Sequence, residues 1–210
     1  MANKKIEPLY IYQKLEEMYP EAHCELNYKS VYQLAVAVML SAQTTDVSVN
    51  KVTPVLFEKY PDAEAMAKAS YREIEEIIKS IGLYRNKATN VVNMSKKLIE
   101  EFSGIIPDNM EDLLKLPGIG RKSANVILSE GYRHPAIAVD THVHRVAARL
   151  YLAKETDTPD QTEQKLRKKF PEEYWSKLHH LMIFFGRYTC HSKLPECDKC
   201  PFYGQCRYKG

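Results

Sequence analysis

Apolar residues recur at helical spacing almost from end to end of this chain, and strand-like alternation is scarce. Residues 6–18 read as an amphipathic helix and 31–40 as a nearly all-apolar, buried one. Helices are expected over 47–59 and 63–69, with Pro61 between them. Ile74, Ile77, Ile78 and Ile81 fall at i, i+3, i+4 and i+7, a core-facing stripe that stops at Gly82. Another helix covers about 86–102. Behind Pro107, an Asp108-x-x-Glu111 capping box opens a pattern through Met110, Leu113 and Leu114. Ala124, Ile127 and Leu128 carry the next. Thr158-Pro159-Asp160-Gln161 reads as a capping box with proline at the first helical position. A final helix is expected over 172–188, its Tyr174, Trp175, Phe184 and Phe185 serving as core. The pattern predicts an all-α fold.

One segment breaks this rhythm with chemistry. Leu116-Pro117-Gly118-Ile119-Gly120-Arg121-Lys122-Ser123-Ala124-Asn125 joins two helical patterns and reads as a tight hairpin. Two glycines around one apolar residue allow positive φ and put no side chain before an approaching phosphate. The next helix opens with unsatisfied N–H groups and the positive end of its dipole, which together favour an anion. Such a helix-hairpin-helix, over about 110–130, grips a nucleic-acid backbone; an ordinary αα-corner is the alternative on the glycines alone. Lys122 changes the balance. A lysine in a first helical turn faces the wrong end of the dipole, at roughly 0.3–1 kcal/mol, and that field favours the neutral amine a nucleophile needs. A solvated lysine meeting phosphate as a point charge is the plainer alternative.

Asp140 ends the apolar run Ala136-Ile137-Ala138-Val139 and precedes Val143, Val146, Ala147 and Leu150 at helical spacing. It is expected to be an N-cap, where negative charge is favoured, and such a charge also suits a group beside a developing cation. Cap and catalytic group are compatible.

Cys190, Cys197, Cys200 and Cys206 form C-x6-C-x2-C-x5-C in one short loop, whereas Cys24 stands apart and reads as a small buried hydrophobe. Disulfides are one possibility, but Met1-Ala2-Asn3-Lys4-Lys5 leads into a polar helix rather than a secretory leader. Four thiolates in one loop suit a soft metal centre. Only Cys197 and Cys200 have the close spacing usual at zinc, and the wider outer spacings lean toward an iron–sulfur cluster.

At 210 residues the chain can bury a sizeable core in one or two domains. No apolar run is long enough for a membrane span, so a cytoplasmic location is expected. The formal net charge of +3 is too small to argue nucleic-acid binding, but its placement says more. Residues 187–210 hold five Lys and Arg against two Asp and Glu, which leaves the rest of the chain balanced. The cysteine loop is therefore a basic patch suited to phosphate, or else a solvated tail. A weak internal echo lays Lys79-Ser80-Ile81-Gly82-Leu83-Tyr84-Arg85 on Lys115-Leu116-Pro117-Gly118-Ile119-Gly120-Arg121. Lacking the second glycine and the lysine, the first copy reads as a degenerate hairpin or a coincidence, a place from which an exposed Leu83 projects.

These segments, with Leu40-Ser41-Ala42-Gln43-Thr44-Thr45-Asp46, Val139-Asp140-Thr141-His142 and Gly186-Arg187-Tyr188-Thr189-Cys190, give the chain its resemblance to a known family. It resembles endonuclease III, a family of base-excision DNA glycosylases in the helix-hairpin-helix superfamily, over nearly its full length. The resemblance implies two helical domains with a DNA-binding cleft between them. One is 24–134, with the hairpin; the other is 1–23 plus 135–210, with the cluster loop 190–206, and Gly131 and Pro135 punctuate the boundary. It implies Lys122 as nucleophile, Asp140 as its catalytic partner, and a [4Fe–4S] cluster on Cys190, Cys197, Cys200 and Cys206. Gln43 and Leu83 match positions that fill or wedge the gap left by a flipped nucleotide. Gly118, Gly120, Arg121, Ser123, His142, Lys193, Lys199 and Arg207 are the further DNA contacts expected.

The implied activity is removal of oxidised pyrimidines from damaged duplex DNA, then strand cleavage by β-elimination, performed by a monomer in the DNA-containing cytoplasm. Ser123 stands where Thr is frequent and His144 where an apolar or acidic residue is common, departures that bear on substrate preference. Two other readings compete. An adenine or thymine mismatch glycosylase shares the hairpin, but the adenine-removing type usually lacks the lysine and carries an extra C-terminal domain. A non-catalytic iron–sulfur DNA-binding or redox-sensing module is opposed by Lys122 and Asp140 occurring together.

Overall fold

The computed structural model describes residues 6–208. Met1-Ala2-Asn3-Lys4-Lys5, read above as the opening of the chain, and Lys209, counted in the basic tail, lie outside the described residues. Among the described residues every regular element is helical. The chain divides into two compact units, Glu25–Arg133 and Met1–Cys24 with His134–Gly210.

In chain order, α1 (Pro8–Met18) belongs to the second of these, and α2 (Val31–Leu40) to α8 (Arg121–Val126) belong to the first. Every residue of α2 from Tyr32 to Leu40 is buried, the placement an almost wholly apolar segment dictates. Ser30 caps it by accepting the Gln33 N–H at 3.2 Å. Next come α3 (Asp46–Lys59), α4 (Ala63–Ala67) and α5 (Tyr71–Ile78). Ile74, Ile78 and Ile81 are buried, while Ile77 is only half-buried at the edge of the stripe. The long α6 (Tyr84–Phe102) packs Ala88, Val91, Val92, Met94 and Leu98 inward and ends where Ser103 and Gly104 turn left-handed.

The start of α7 (Met110–Leu113) differs from the sequence reading. Asn109, not Asp108, is the cap: its Oδ1 accepts the Asp112 N–H at 2.9 Å and its Nδ2 donates to Asp112 Oδ2 at 2.9 Å. The amide serves as donor and acceptor at once, and the cap moves one residue along. After α8 the helix continues as a π turn over Ile127–Gly131. A Cβ on Gly131 would meet Val31 Cγ1 at 2.9 Å and Leu34 Cδ2 at 3.3 Å, so this glycine permits the close approach of α2.

The other unit contains α1, α9 (Thr141–Arg149), α10 (Pro159–Lys169) and α11 (Trp175–Tyr188). Its core includes Ile11, Leu15, Ile137, Val143, Val146, Leu150, Leu166, Leu178, Met182, Phe185 and Phe202. Residues Glu172–Tyr174, expected as the first turn of α11, form a 3-10 turn instead. Phe185 is buried; Tyr174, Trp175 and Phe184 pack at the margin of the core. Thr158 and Gln161 form the expected reciprocal box at the start of α10. His144 is committed to structure: Nδ1 bonds Thr162 Oγ1 at 2.9 Å and Nε2 bonds the Glu155 carbonyl at 3.3 Å. Cys24 is half-buried rather than buried. No helix among the described residues is long and apolar enough to cross a membrane.

Candidate functional site

The hairpin is built by two short hydrogen-bonded turns. The Leu116 N–H reaches the Leu113 carbonyl at 3.2 Å, and the Ile119 N–H reaches the Leu116 carbonyl at 3.2 Å. Leu116 and Ile119 are buried, which pins the loop from beneath while Gly118 and Gly120 face outward. The two glycines are not equivalent. Gly118 has φ +79°, and a Cβ there would stand 3.0 Å from both Asn90 Cβ and Met39 Sδ. Gly120 is the extended N-cap of α8 with φ −101°, not a second left-handed residue, and a Cβ there meets nothing within 4 Å. Its surroundings are open, and as a glycine it offers no side-chain cap to the first turn of α8.

Lys122 is the second residue of α8 and is exposed. Among the described residues no carboxylate pairs with its ammonium. Arg121 and Ser123 flank it, half-buried. This is an unshielded amine at the positive end of a helix.

The same unit brings two further predicted residues together. Gln43 and Leu83 are both exposed and both left-handed, with φ 54° and 59°. Non-glycine residues seldom adopt this conformation, and they hold it only where surrounding structure over-determines it. Their loops touch: a Cβ on Gly82 would lie 3.9 Å from the Gln43 carbonyl oxygen and from Thr44 Oγ1. The internal echo fails in detail, because the left-handed residue is Leu83 in one turn and Gly118 in the other, one position apart in that alignment.

Sequence reasoning missed Lys87. It is only 4% exposed and donates to Thr44 Oγ1 at 2.7 Å, and burial pushes its pKa below the usual lysine range. The signal was available: Lys87, Val91, Met94 and Leu98 share one face of α6, where a lysine interrupts an apolar stripe. A cavity of about 550 Å³ lined by Leu26, Tyr28, Gln33, Pro54 and Phe57, among others, holds none of the predicted site residues.

In the other unit Asp140 is the N-cap of α9. Its Oδ1 accepts the Val143 N–H at 2.8 Å, and the carboxylate is half-buried. Two residues on, His142 is also half-buried, and its Nδ1 lies 3.2 Å from an Arg145 guanidinium nitrogen. Burial pushes the His142 pKa down, opposed by Asp140 and assisted by Arg145, which favours the neutral ring. A Cβ on Gly186 would meet His142 Cβ at 2.9 Å, so Gly186 lets α11 lie against the start of α9.

The cysteines form the second cluster. None of the five is in a disulfide. Cys190, Cys197, Cys200 and Cys206 line one small pocket with Arg149, Thr189 and Tyr208. Arg149 clamps the loop: Nη1 donates to Cys190 Sγ at 3.2 Å and to the His191 carbonyl at 2.7 Å, and Nη2 to the Ser192 carbonyl at 3.1 Å. Arg145 adds bonds to the Cys190 and Gly186 carbonyls. Burial pushes the Cys200 thiol up to about 11, and Cys197 is raised by burial and by the neighbouring Cys206 and Cys190. Four thiols crowded so that their thiolates repel are the donor set a thiophilic metal centre would relieve.

Of the predicted basic contacts on this loop, Lys193 is exposed. Lys199 is not a free cation, because it pairs with Glu196 at 2.8 Å. Arg207 lies over the Tyr151 ring at 4.8 Å.

Residues 36–172 match the HhH-GPD superfamily of base excision DNA repair proteins. The chain is 48% identical to endonuclease III of Bacillus subtilis over 194 residues, 92% of this chain and 89% of that protein. It is 41% identical to endonuclease III of Escherichia coli K12 over 205 residues, 98% of this chain and 97% of that one. A solved structure of a trapped endonuclease III–DNA covalent intermediate superposes with a TM-score of 0.92 at 47% identity, covering 95% of this chain and 93% of that chain. With this identity over almost the whole length of its relatives, the chain belongs to the endonuclease III family of HhH-GPD base excision DNA repair proteins.

Proposed function

We propose that this chain removes oxidised pyrimidines from duplex DNA and then cuts the strand 3′ to the abasic site, with Lys122 as nucleophile. The observation that carries this reading is the exposed Lys122 amine, with no carboxylate partner among the described residues, in the first turn of a helix opened by a glycine hairpin. The same turn offers amides to a phosphate, which brings the sugar beside the amine.

The sugar C1′ is hidden while its base is stacked, so the damaged nucleotide must leave the duplex at a cost of a few kcal/mol. A pyrimidine that has lost aromaticity stacks poorly, which lowers that cost. Gln43 and Leu83 occupy the vacated space. The neutral Lys122 amine attacks C1′ as the glycosidic bond breaks and the base departs with its electron pair. Asp140, fixed by its bond to the Val143 N–H through one oxygen, stabilises the positive charge developing on the sugar. Loss of the amine proton and opening of the sugar ring leave a Schiff base. Its cationic nitrogen acidifies the C2′ proton, and removal of that proton expels the 3′ phosphate. Gly118, Gly120, Arg121 and Ser123 hold the backbone near Lys122; His142, Lys193, Lys199 and Arg207 contact it from their own unit.

The thiols of Cys190, Cys197, Cys200 and Cys206 fit a [4Fe–4S] cluster in number, proximity and freedom from disulfides. Bound there, the cluster supplies a rigid cross-link that orders the basic loop.

Borohydride reduction on DNA containing an abasic site tests the reading. The wild type forms a covalent adduct; Lys122→Gln keeps its fold and DNA affinity but loses both adduct and strand cutting. Asp140→Asn slows base removal more than it weakens binding. An adduct that survives Lys122→Gln at normal rate would sink the assignment, and base removal with no adduct in the wild type would point to an activated water.

A further inference from the structure

Lys87 is a buried cation that the reaction above does not use. It is 4% exposed, has Thr44 Oγ1 as its hydrogen-bond acceptor, and no carboxylate pairs with it among the described residues. Burying an ammonium without a counter-charge is unfavourable, and a methionine of similar length would fill the same space without that penalty. A charge kept at such a site does something that apolar packing cannot.

Its position says what. The Lys87 backbone N–H donates to the Leu83 carbonyl at 3.0 Å, closing the first turn of α6 directly behind the left-handed Leu83. Its side chain runs to Thr44, the residue after the left-handed Gln43. Thr44 Oγ1 passes the interaction on to the Ala42 carbonyl at 3.5 Å, so the hydroxyl accepts from Lys87 and donates across the Gln43 turn. One residue thus bonds both loops, which lie side by side: a Cβ on Gly82 would make ordinary contact, at 3.9 Å, with the Gln43 carbonyl oxygen and Thr44 Oγ1. Two strained, exposed residues stay in register only if such a link holds them.

We propose that Lys87 is a positioning residue that clamps the Gln43 and Leu83 loops into one rigid two-pronged wedge for the space a flipped nucleotide leaves. The proposal rests on the wedge role given above to Gln43 and Leu83. A dedicated hydrogen bond gives what packing does not: a fixed direction between the two loops. The clamp acts on extrusion of the nucleotide, not on bond breaking.

The test compares two substrates in single-turnover reactions with borohydride trapping. One is an oxidised pyrimidine stacked in a paired duplex; the other is an abasic site in a bulge, already extruded. Lys87→Met and Thr44→Val should each slow adduct formation about tenfold or more on the stacked lesion, with little change on the bulged site. Thr44→Ser, which keeps the hydroxyl, should restore the rate. Lys87→Met should melt no lower than the wild type. Unchanged rates on the stacked lesion, equal loss on both substrates, or failure of Thr44→Ser to restore the rate would each overturn the clamp. Gln43→Ala and Leu83→Ala serve as references: if neither slows the stacked lesion, the wedge role itself is wrong and the clamp falls with it.

Discussion

Gly118 and Gly120, one residue apart from touching in sequence, respond to opposite demands, and each gives a different experiment. Gly118 combines φ +79° with Cβ positions 3.0 Å from Asn90 and Met39, so any side chain there meets both strain and a packed neighbour. Gly118→Ala is expected to cost about 1–3 kcal/mol of stability, which confounds any binding measurement. Gly120 is free of both constraints, and serine is a favoured N-cap. Gly120→Ser should therefore melt no lower than the wild type while weakening DNA binding, damaged and undamaged alike, because its Cβ and hydroxyl occupy the approach of the phosphate. Melting curves and salt-titrated binding check this; full affinity in Gly120→Ser would mean that the hairpin is not the grip. The glycine turn was legible in the sequence because glycine punctuates loops. Which glycine is left-handed was not, since that depends on Met39 and Asn90, far away in the chain.

At the scale of elements, the caps decide where helices begin and how they answer to pH. Ser70 and Glu73 form a reciprocal box at the start of α5, and Glu73 also binds Lys59 of α3 at 3.0 Å. Lys59 first, then the Ser70 N–H and hydroxyl, lower the Glu73 pKa from 4.5 to about 2. A carboxylate lowered on folding stabilises the native state above its unfolded pKa, and that contribution fades as pH falls from about 4.5 toward 2. Urea unfolding of the wild type should thus lose more stability between pH 7 and pH 3 than Glu73→Gln does. Equal losses would show that the box carries no charge-linked stability. Ser70→Ala should cost about 1 kcal/mol at pH 7 and less at pH 3, because the hydroxyl also bonds the Glu73 carboxylate. The helices themselves were legible from periodicity and from boxes such as Thr158 with Gln161. The box assigned to Asp108 was displaced because Asn109 can both accept from and donate to Asp112.

For the molecule as a whole, the cysteine loop, whose regular structure is the short 3-10 turn Cys197–Lys199, must still be held in place. Arg149 and Arg145 bind its carbonyls, Phe202 anchors it in the core, and four thiols converge with no disulfide. Protein purified without oxidants should be yellow-brown and carry iron and acid-labile sulfide. Cys200→Ser should lower the metal content, loosen the loop and reduce DNA affinity, whereas Cys24→Ser should leave the metal unchanged. Colourless protein with one tightly held zinc would overturn the cluster and leave the Lys122 chemistry standing. Because Lys199 is paired with Glu196, Lys199→Ala should weaken DNA binding less than Lys193→Ala does.

What the sequence alone determined is what short-range physics encodes. Helical periodicity set the elements, two glycines marked the hairpin, proline and side-chain oxygens marked helix starts, and four cysteines in one loop marked a candidate metal centre. The tertiary structure decided what depends on residues distant in the chain. Left-handed backbone at Gln43 and Leu83 runs against the preference of both residues, so no local pattern announces it. Lys87 looked like one more polar residue on a helix, yet α6 turns it inward, and only the approach of the Thr44 loop gives its ammonium a partner. Propensity and periodicity act between near neighbours, whereas strain, burial of charge and loop-to-loop bonds exist only once the chain has folded.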